Sequence, residues 1–188
     1  MSDVFSVDWS TVPTPIDDGS TQHLPGKPLP HVALISTDGN VVDLSRLSGR
    51  TVIYAFPRMH HPDQPITEGW FTIPGAPGCT PQSCAFRDHA KELAAAGAAH
   101  IFGLSTQHTS DQREGVKRLH LPFPLLSDHD RAFTNALSLP TFEAGGMLLP
   151  KRLTLIVRNG VIEHVFYPVF PPDKNAEDVL KWLEQRRN

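Results

Sequence analysis

The stretch Gly78-Cys79-Thr80-Pro81-Gln82-Ser83-Cys84 carries the only two cysteines of the 188-residue chain. It follows an apolar, β-rich run at 51–56 and leads into an amphipathic segment at 85–97. A Pro-Gly pair breaks the chain just before Cys79. Pro81 suits the first turn of a helix, where its missing N–H is no loss. The sequence therefore predicts that Cys79 lies at or near the N-terminus of a helix.

A cysteine at such a position is suited to nucleophilic chemistry. The first turn of a helix has free backbone N–H groups and the positive end of the helix dipole, and both favour an anion. The thiolate is the nucleophilic form of cysteine, so stabilising it raises the reactive fraction at neutral pH. We interpret Cys79 as a reactive thiolate and Cys84 as its partner in a reversible disulfide.

The spacing of the two cysteines indicates that the disulfide could form only after a change in the helix. Five residues of ideal helix separate two Cα atoms by roughly 8.6 Å. A disulfide needs a separation of less than about 7 Å. The bond therefore requires the first turns to unwind, which predicts a redox cycle with local unfolding. Two ordinary buried cysteines, or a zinc site, are the alternatives. The zinc site is disfavoured because the spacing is not that of common zinc modules.

Composition narrows the class of protein. With 39% hydrophobic and 20% charged residues, the chain is typical of one soluble globular domain. A net charge of −3 gives no basic footprint for nucleic acid. No apolar run approaches the ~20 residues of a membrane span, and the first residues lack the features of a signal peptide. We expect a cytoplasmic protein, in which cysteines serve chemistry or metal binding rather than structural disulfides.

Strand-like and helix-like segments alternate along the chain in the order β-α-β-α-β-α-β-β-α, after a small strand pair. This order favours an α/β protein with a mostly parallel sheet and helices on both faces. Asn159-Gly160 between two β-rich runs predicts a closing antiparallel hairpin. Together these features predict a thioredoxin-like fold with a central mixed sheet flanked by helices. We divide the chain into an N-terminal arm, 1–23, and a domain, 24–188.

Two Pro-rich stretches show no periodicity and are predicted to be irregular loops, 57–77 and 140–150. A loop as long as 57–77 is usually functional or disordered. Because it ends next to Cys79, we expect it to shape the rim of a pocket; a plain surface insertion is the alternative. Its pair His60-His61 is better explained as loop histidines than as metal ligands, so we predict no metal and no cofactor.

Several short stretches resemble the peroxiredoxins, most closely the bacterioferritin-comigratory type with two cysteines five residues apart. The resemblance covers about residues 24–185, and its most specific part is the Pro-Gly-Cys-Thr-x-x-x-Cys-x-x-Arg-Asp string. The matching stretches are Gly-Lys-Pro-Leu-Pro (26–30), Val-Ile-Tyr-Ala-Phe-Pro (52–57), Pro-Gly-Cys-Thr (77–80), Cys-Ala-Phe-Arg-Asp (84–88), Phe-Gly-Leu-Ser-Thr (102–106) and Pro-Leu-Leu-Ser-Asp (124–128).

The resemblance implies a reaction and its partners. Cys79 would be the peroxidatic cysteine, which attacks a peroxide and becomes a sulfenic acid, and Cys84 would be the resolving cysteine. The substrates would be hydrogen peroxide and organic hydroperoxides. Thioredoxin or a glutaredoxin-like protein would reduce the Cys79–Cys84 disulfide. We expect no cofactor, and the sequence leaves open whether the protein is a monomer or a homodimer.

The resemblance also assigns supporting side chains. Arg152 matches the arginine that lies near the peroxidatic sulfur, and Arg87 is a second candidate whose alternative is an ion pair with a nearby carboxylate. Where the family has a Ser or Thr three residues before the cysteine, this chain has Ala76. Either Thr72 folds back to supply the hydroxyl, or backbone N–H groups replace it.

Two other functions remain open from the sequence. One is a redox sensor or thiol–disulfide exchange protein without strong peroxidase activity, although the Cys-x-x-Cys of such oxidoreductases is absent. The other is a binding module whose 57–77 loop recognises a partner, with the thiols incidental.

Overall fold

The computed structural model describes residues 7–186; positions 1–6 of the predicted arm and 187–188 of the predicted domain lie outside it. The strands of this part of the chain are β1 Ala33–Ser36, β2 Val41–Asp43, β3 Arg50–Ala55, β4 Ala98–Ser105, β5 Leu125–Ser127, β6 Thr141–Ala144, β7 Met147–Pro150, β8 Leu153–Arg158 and β9 Val161–Phe166. The helices are α1 Cys79–Asp88, α2 Ala90–Ala95, α3 Thr109–Leu119, α4 Ala132–Leu137 and α5 Asn175–Glu184.

Seven strands form one sheet in the order β2-β1-β5-β4-β3-β8-β9. β4 lies parallel to both β3 and β5, and the other pairs are antiparallel. Asn159 and Gly160 close the β8–β9 hairpin with positive φ angles of 50° and 79°, as the turn chemistry predicts. The predicted central mixed sheet flanked by helices is confirmed. The expectation that this sheet is mostly parallel is wrong, because four of its six strand pairs are antiparallel.

β3 lies in the middle of the sheet and contributes to two cores. Val52 and Tyr54 face a cluster that contains side chains of α1, α2 and α5. Ile53 and Ala55 face the opposite cluster, which includes α4. Alternate residues of a strand point to opposite faces, so a strand buried on both faces must be apolar throughout. The cysteine helix α1 therefore packs on one face of the sheet, against the cluster that contains Val52 and Tyr54.

The irregular loop predicted at 140–150 is wrong, because β6 and β7 form a separate antiparallel hairpin there. Gly145 and Gly146 make its turn with φ angles of 55° and 74°, which only glycine adopts at little cost. The hairpin packs its Ala144 and Leu149 against Trp70 of the 57–77 loop. The β6–β7 hairpin therefore stabilises the 57–77 loop through this buried cluster.

The amphipathic segment predicted at 85–97 is two helices. α1 ends at Asp88 and α2 begins at Ala90, with His89 serving both as the C-cap of the first and the N-cap of the second. The His89 N–H still bonds to the carbonyl of Ala85, so the interruption is small. Within the described residues, no helix has the length and apolar character needed to cross a membrane.

Candidate active site

Cys79 is the first residue of α1 and is only 4% exposed. Gly78 precedes it as the N-cap with a φ of 110°, in a region that favours glycine. A Cβ on Gly78 would also lie 2.5 Å from Cγ of Pro172 and 2.8 Å from the Trp9 ring. Two reasons therefore favour glycine at this position: the positive φ angle and the lack of space for a Cβ atom. As the N-cap, Gly78 places Cys79 at the helix N-terminus.

Arg152 lies between β7 and β8 and is 3% exposed. Its Nη2 is 3.3 Å from Sγ of Cys79. The same nitrogen donates to the carbonyls of the preceding loop, at Gly75 (3.3 Å), Ala76 (3.0 Å) and Pro77 (3.1 Å). Arg152 thus ties the cysteine loop in place and puts a permanent positive charge beside the sulfur.

A chain of buried hydrogen bonds orients Arg152. Its Nη1 donates to Oε1 of Gln82 at 2.5 Å, and Nε2 of Gln82 donates to Oδ1 of Asn175 at 3.0 Å. The Thr154 hydroxyl donates to the same Asn175 oxygen at 2.6 Å. Gln82, Asn175 and Thr154 are each at most 2% exposed. Because two donors converge on the Asn175 oxygen, the Gln82 amide must turn its own oxygen toward the guanidinium.

The sequence analysis did not predict this buried hydrogen-bond network. Gln82 stands inside the cysteine stretch, and a polar residue on the buried side of a helix could have marked it. Thr154 and Asn175 gave no such signal, since they meet Gln82 only through the packing of β8 and α5 against α1.

Cys84 lies on the same intact helix and is 8% exposed. Both thiols are free. Burial raises the pKa of the Cys84 thiol, and the charge of Arg87 offsets part of that effect. Cys84 is packed within the core that includes Tyr54 and Phe86. It is therefore held protonated and shielded while α1 stays folded.

Two predicted supporting residues lie elsewhere. Thr72 is exposed in a short 3₁₀ helix, and its hydroxyl donates to the carbonyl of Gly69 at 2.7 Å. The suggestion that Thr72 supplies the missing hydroxyl at Cys79 is therefore wrong for this structure. Arg87 pairs with Asp88 at 2.8 Å and donates to the carbonyl of Leu119 at 2.9 Å. Its charge acts on Cys84.

A cavity of about 430 Å³ opens at Cys79. Its lining comes from the arm, the 57–77 loop and the first turn of α1: Val7, Asp8, Thr11, Val12, Arg58, His60, Gln64, Pro65, Ile66, Thr67, Trp70, Phe71, Pro77, Gly78, Cys79, Thr80 and Pro81. The lining is mostly apolar. The 57–77 loop thus forms the wall of a pocket.

The start of that loop is anchored to the domain. The Met59 N–H donates to Oε1 of Gln107 at 2.7 Å, and Nε2 of Gln107 donates to the Met59 carbonyl at 3.1 Å. Arg118 donates to the carbonyl of His60 at 3.0 Å. Partial burial, and then the charges of Arg118 and Arg58, lower the pKa of His60, which keeps it neutral at neutral pH. The described residues contain no cluster of His, Cys, Asp and Glu side chains that could hold a metal ion.

The fold and this site define an α/β protein of the thioredoxin-like class, with a buried cysteine at a helix N-terminus beside an arginine. The Redoxin family model matches residues 24–180. The chain therefore belongs to the Redoxin family, and its relatives are the peroxiredoxins of the Q type, which confirms the resemblance seen in the sequence.

Individual relatives give the same assignment. Peroxiredoxin Q of Sedum lineare, a chloroplastic protein, is 32% identical over 85% of this chain and 77% of its own length. Peroxiredoxin Q of japonica rice, also chloroplastic, is 33% identical over 85% of this chain. This chain spans 66% of the length of the rice protein. Among solved structures, peroxidoxin BcpB of Mycobacterium tuberculosis superposes with a TM-score of 0.71 at 25% identity, covering 88% of this chain and all of the other.

Proposed function

We propose that this protein is a thiol-dependent peroxidase that reduces hydrogen peroxide and organic hydroperoxides at Cys79. The contact of 3.3 Å between Arg152 and the Cys79 sulfur carries the proposal. It joins a helix N-terminus and a fixed positive charge at one nucleophilic atom, and that atom faces a cavity. The cavity gives a substrate access to that sulfur, and a thiolate is the form of cysteine that attacks peroxides.

In the first step, the thiolate of Cys79 attacks the terminal oxygen of the peroxide. The S–O bond forms as the O–O bond breaks, and the sulfur is oxidised to a sulfenic acid while the substrate leaves as an alkoxide or hydroxide. That oxygen takes up a proton and departs as an alcohol or water. Arg152 stabilises the negative charge as it moves from sulfur to oxygen. Since Ala76 has no hydroxyl, the free N–H groups of the first helical turn orient the peroxide in its place.

In the second step, Cys84 condenses with the sulfenic acid to form a disulfide, and water leaves. The two residues are five apart on an intact helix, so α1 must open at its N-terminal end before the sulfurs can meet. A dithiol protein such as thioredoxin or a glutaredoxin-like protein then reduces the disulfide, and α1 refolds. Opening also releases Cys84 from the core that raises its pKa.

The assignment of the two cysteines is tested by single substitutions. Cys79→Ser should abolish peroxide-dependent consumption of reductant. Cys84→Ser should complete one turnover per chain and leave a sulfenic acid that a dimedone probe traps, as intact-protein mass spectrometry can measure. Wild-type protein treated with one equivalent of peroxide should carry the Cys79–Cys84 disulfide, identified by peptide mapping. Equal peroxidase rates in wild type and Cys79→Ser would remove Cys79 from this role.

A further inference from the structure

The N-terminal arm crosses the loop that precedes Cys79. The Trp9 ring packs edge-on against Phe170, with 6.0 Å between ring centroids, and also lies against Gly78. Farther along the arm, Asp18 accepts a hydrogen bond from Nζ of Lys151 at 2.8 Å. Lys151 is the neighbour of Arg152 in the chain. The arm is therefore attached to the domain at two points, one next to Gly78 and one next to Arg152.

The segment between these attachments forms one wall of the cavity. Thr11 and Val12 line it, and Val12 is 7% exposed. The facing wall belongs to the 57–77 loop, where Ile66 and Phe71 are 47% and 52% exposed. Exposed large apolar side chains around a concave site are typical of a binding surface. The cavity is thus built from the arm and the 57–77 loop, which lie outside the central sheet, together with the first turn of α1.

The volume of this cavity exceeds what the smallest substrate requires. Pockets for small organic ligands have volumes of about 300–1,000 Å³, and this one is about 430 Å³. Hydrogen peroxide has only two heavy atoms and is fully polar, so it gains nothing from apolar walls. A hydroperoxide with an apolar organic group can bury that group against the walls while its O–O bond meets Cys79.

We propose that Thr11 and Val12 of the arm determine substrate specificity by binding the apolar group of organic hydroperoxides. This inference rests on the proposed peroxidase function. The arm contacts the organic part of the substrate, and Cys79 and Arg152 act on the peroxide group that both substrates share. The arm therefore sets the preference for organic hydroperoxides over hydrogen peroxide.

The test compares kcat/KM for cumene hydroperoxide and for hydrogen peroxide in full-length variants. Thr11→Trp fills the cavity with an indole. It should lower the ratio of cumene hydroperoxide to hydrogen peroxide activity by about tenfold or more, the effect of a mismatched group in an apolar pocket. Val12→Ala should raise KM for cumene hydroperoxide only. Ser10→Trp is the matched control, because Ser10 lies in the same short helix and does not line the cavity.

The outcomes separate the two proposals. If wild type reduces neither peroxide, the proposed function fails. If wild type reduces both and Thr11→Trp leaves the ratio unchanged, or lowers both activities equally, the arm has no part in specificity and the peroxidase proposal stands. An equal loss of the ratio in Ser10→Trp would mean that any bulky substitution in the arm disturbs the site, and it would likewise overturn the inference.

Discussion

Replacing Arg152 by Met keeps an unbranched side chain and removes its charge and its hydrogen-bond donors. Arg152 and Cys79 are both buried, and Nη2 lies 3.3 Å from the sulfur. Two unit charges at that distance attract by about 5 kcal/mol at an effective dielectric constant of about 20. Three loop carbonyls share the same nitrogen, so the part available to the thiolate is smaller. We expect the variant to react with hydrogen peroxide about 100- to 1,000-fold more slowly, the usual effect of removing one group that stabilises the developing charge.

Stopped-flow measurement of thiol loss with hydrogen peroxide tests this expectation. The rate for Arg152→Met should fall, because no fixed positive charge remains beside the sulfur to stabilise the charge that moves to the leaving oxygen. Arg152→Lys is the charged control. It should give an intermediate rate, because an ammonium group cannot bridge Gln82 and the loop carbonyls at once. Thermal unfolding shows whether each variant is folded. A folded Arg152→Met with an unchanged rate would refute the role given to Arg152.

Three further predictions concern the parts around the site. Thr154→Val removes the donor to Asn175 and should lower the free energy of unfolding by about 1 kcal/mol, measured by denaturant titration, whereas Thr154→Ser keeps the donor. Gly78→Ala places a Cβ 2.5 Å from Pro172 at a positive φ, and should cost about 1–3 kcal/mol of stability, measured by the same titration. Because burial raises the pKa of Cys84, the closed helix binds more protons than the open one. Closure is therefore favoured below the ordinary thiol pKa and weakens as pH rises through the folded value, so disulfide formation after oxidation should accelerate with pH.

Each of these three predictions would be contradicted by a specific result. Equal stability of Thr154→Val and Thr154→Ser would mean that the hydroxyl contributes nothing to the buried chain. Unchanged stability in Gly78→Ala would mean that the N-cap can relax away from the arm. A rate of disulfide formation that is independent of pH between neutral and alkaline conditions would contradict the account of a protonated, shielded Cys84.

Local chemistry explains what could be predicted from the sequence. The Pro-Gly pair before Cys79, with Pro81 in the first turn, specifies a helix start without reference to the rest of the fold. Asn159-Gly160 specifies a hairpin in the same local way. The apolar run of β3 signals burial on both faces. These short signals are enough to predict the class of fold and the position of Cys79 at a helix N-terminus.

Contacts between distant segments account for what was missed. Asn175 meets Gln82 across 93 positions of sequence, and no periodicity reports such a meeting. The β6–β7 hairpin was concealed by Pro140 and Pro150, which usually interrupt strands. Thr72 was suggested as a replacement for the absent hydroxyl only because it lies a few residues before Cys79 in the sequence. In the structure, its hydroxyl donates instead to the carbonyl of the nearby Gly69.

The most direct test is the second-order rate constant of reduced Cys84→Ser protein with hydrogen peroxide, in which Cys79 is the only thiol. The account predicts a rate constant orders of magnitude above that of free cysteine at the same pH, because the helix N-terminus and Arg152 act on one sulfur. A rate constant equal to that of free cysteine would contradict it. The paired thiols would then be better explained by thiol–disulfide exchange or redox sensing than by peroxide reduction.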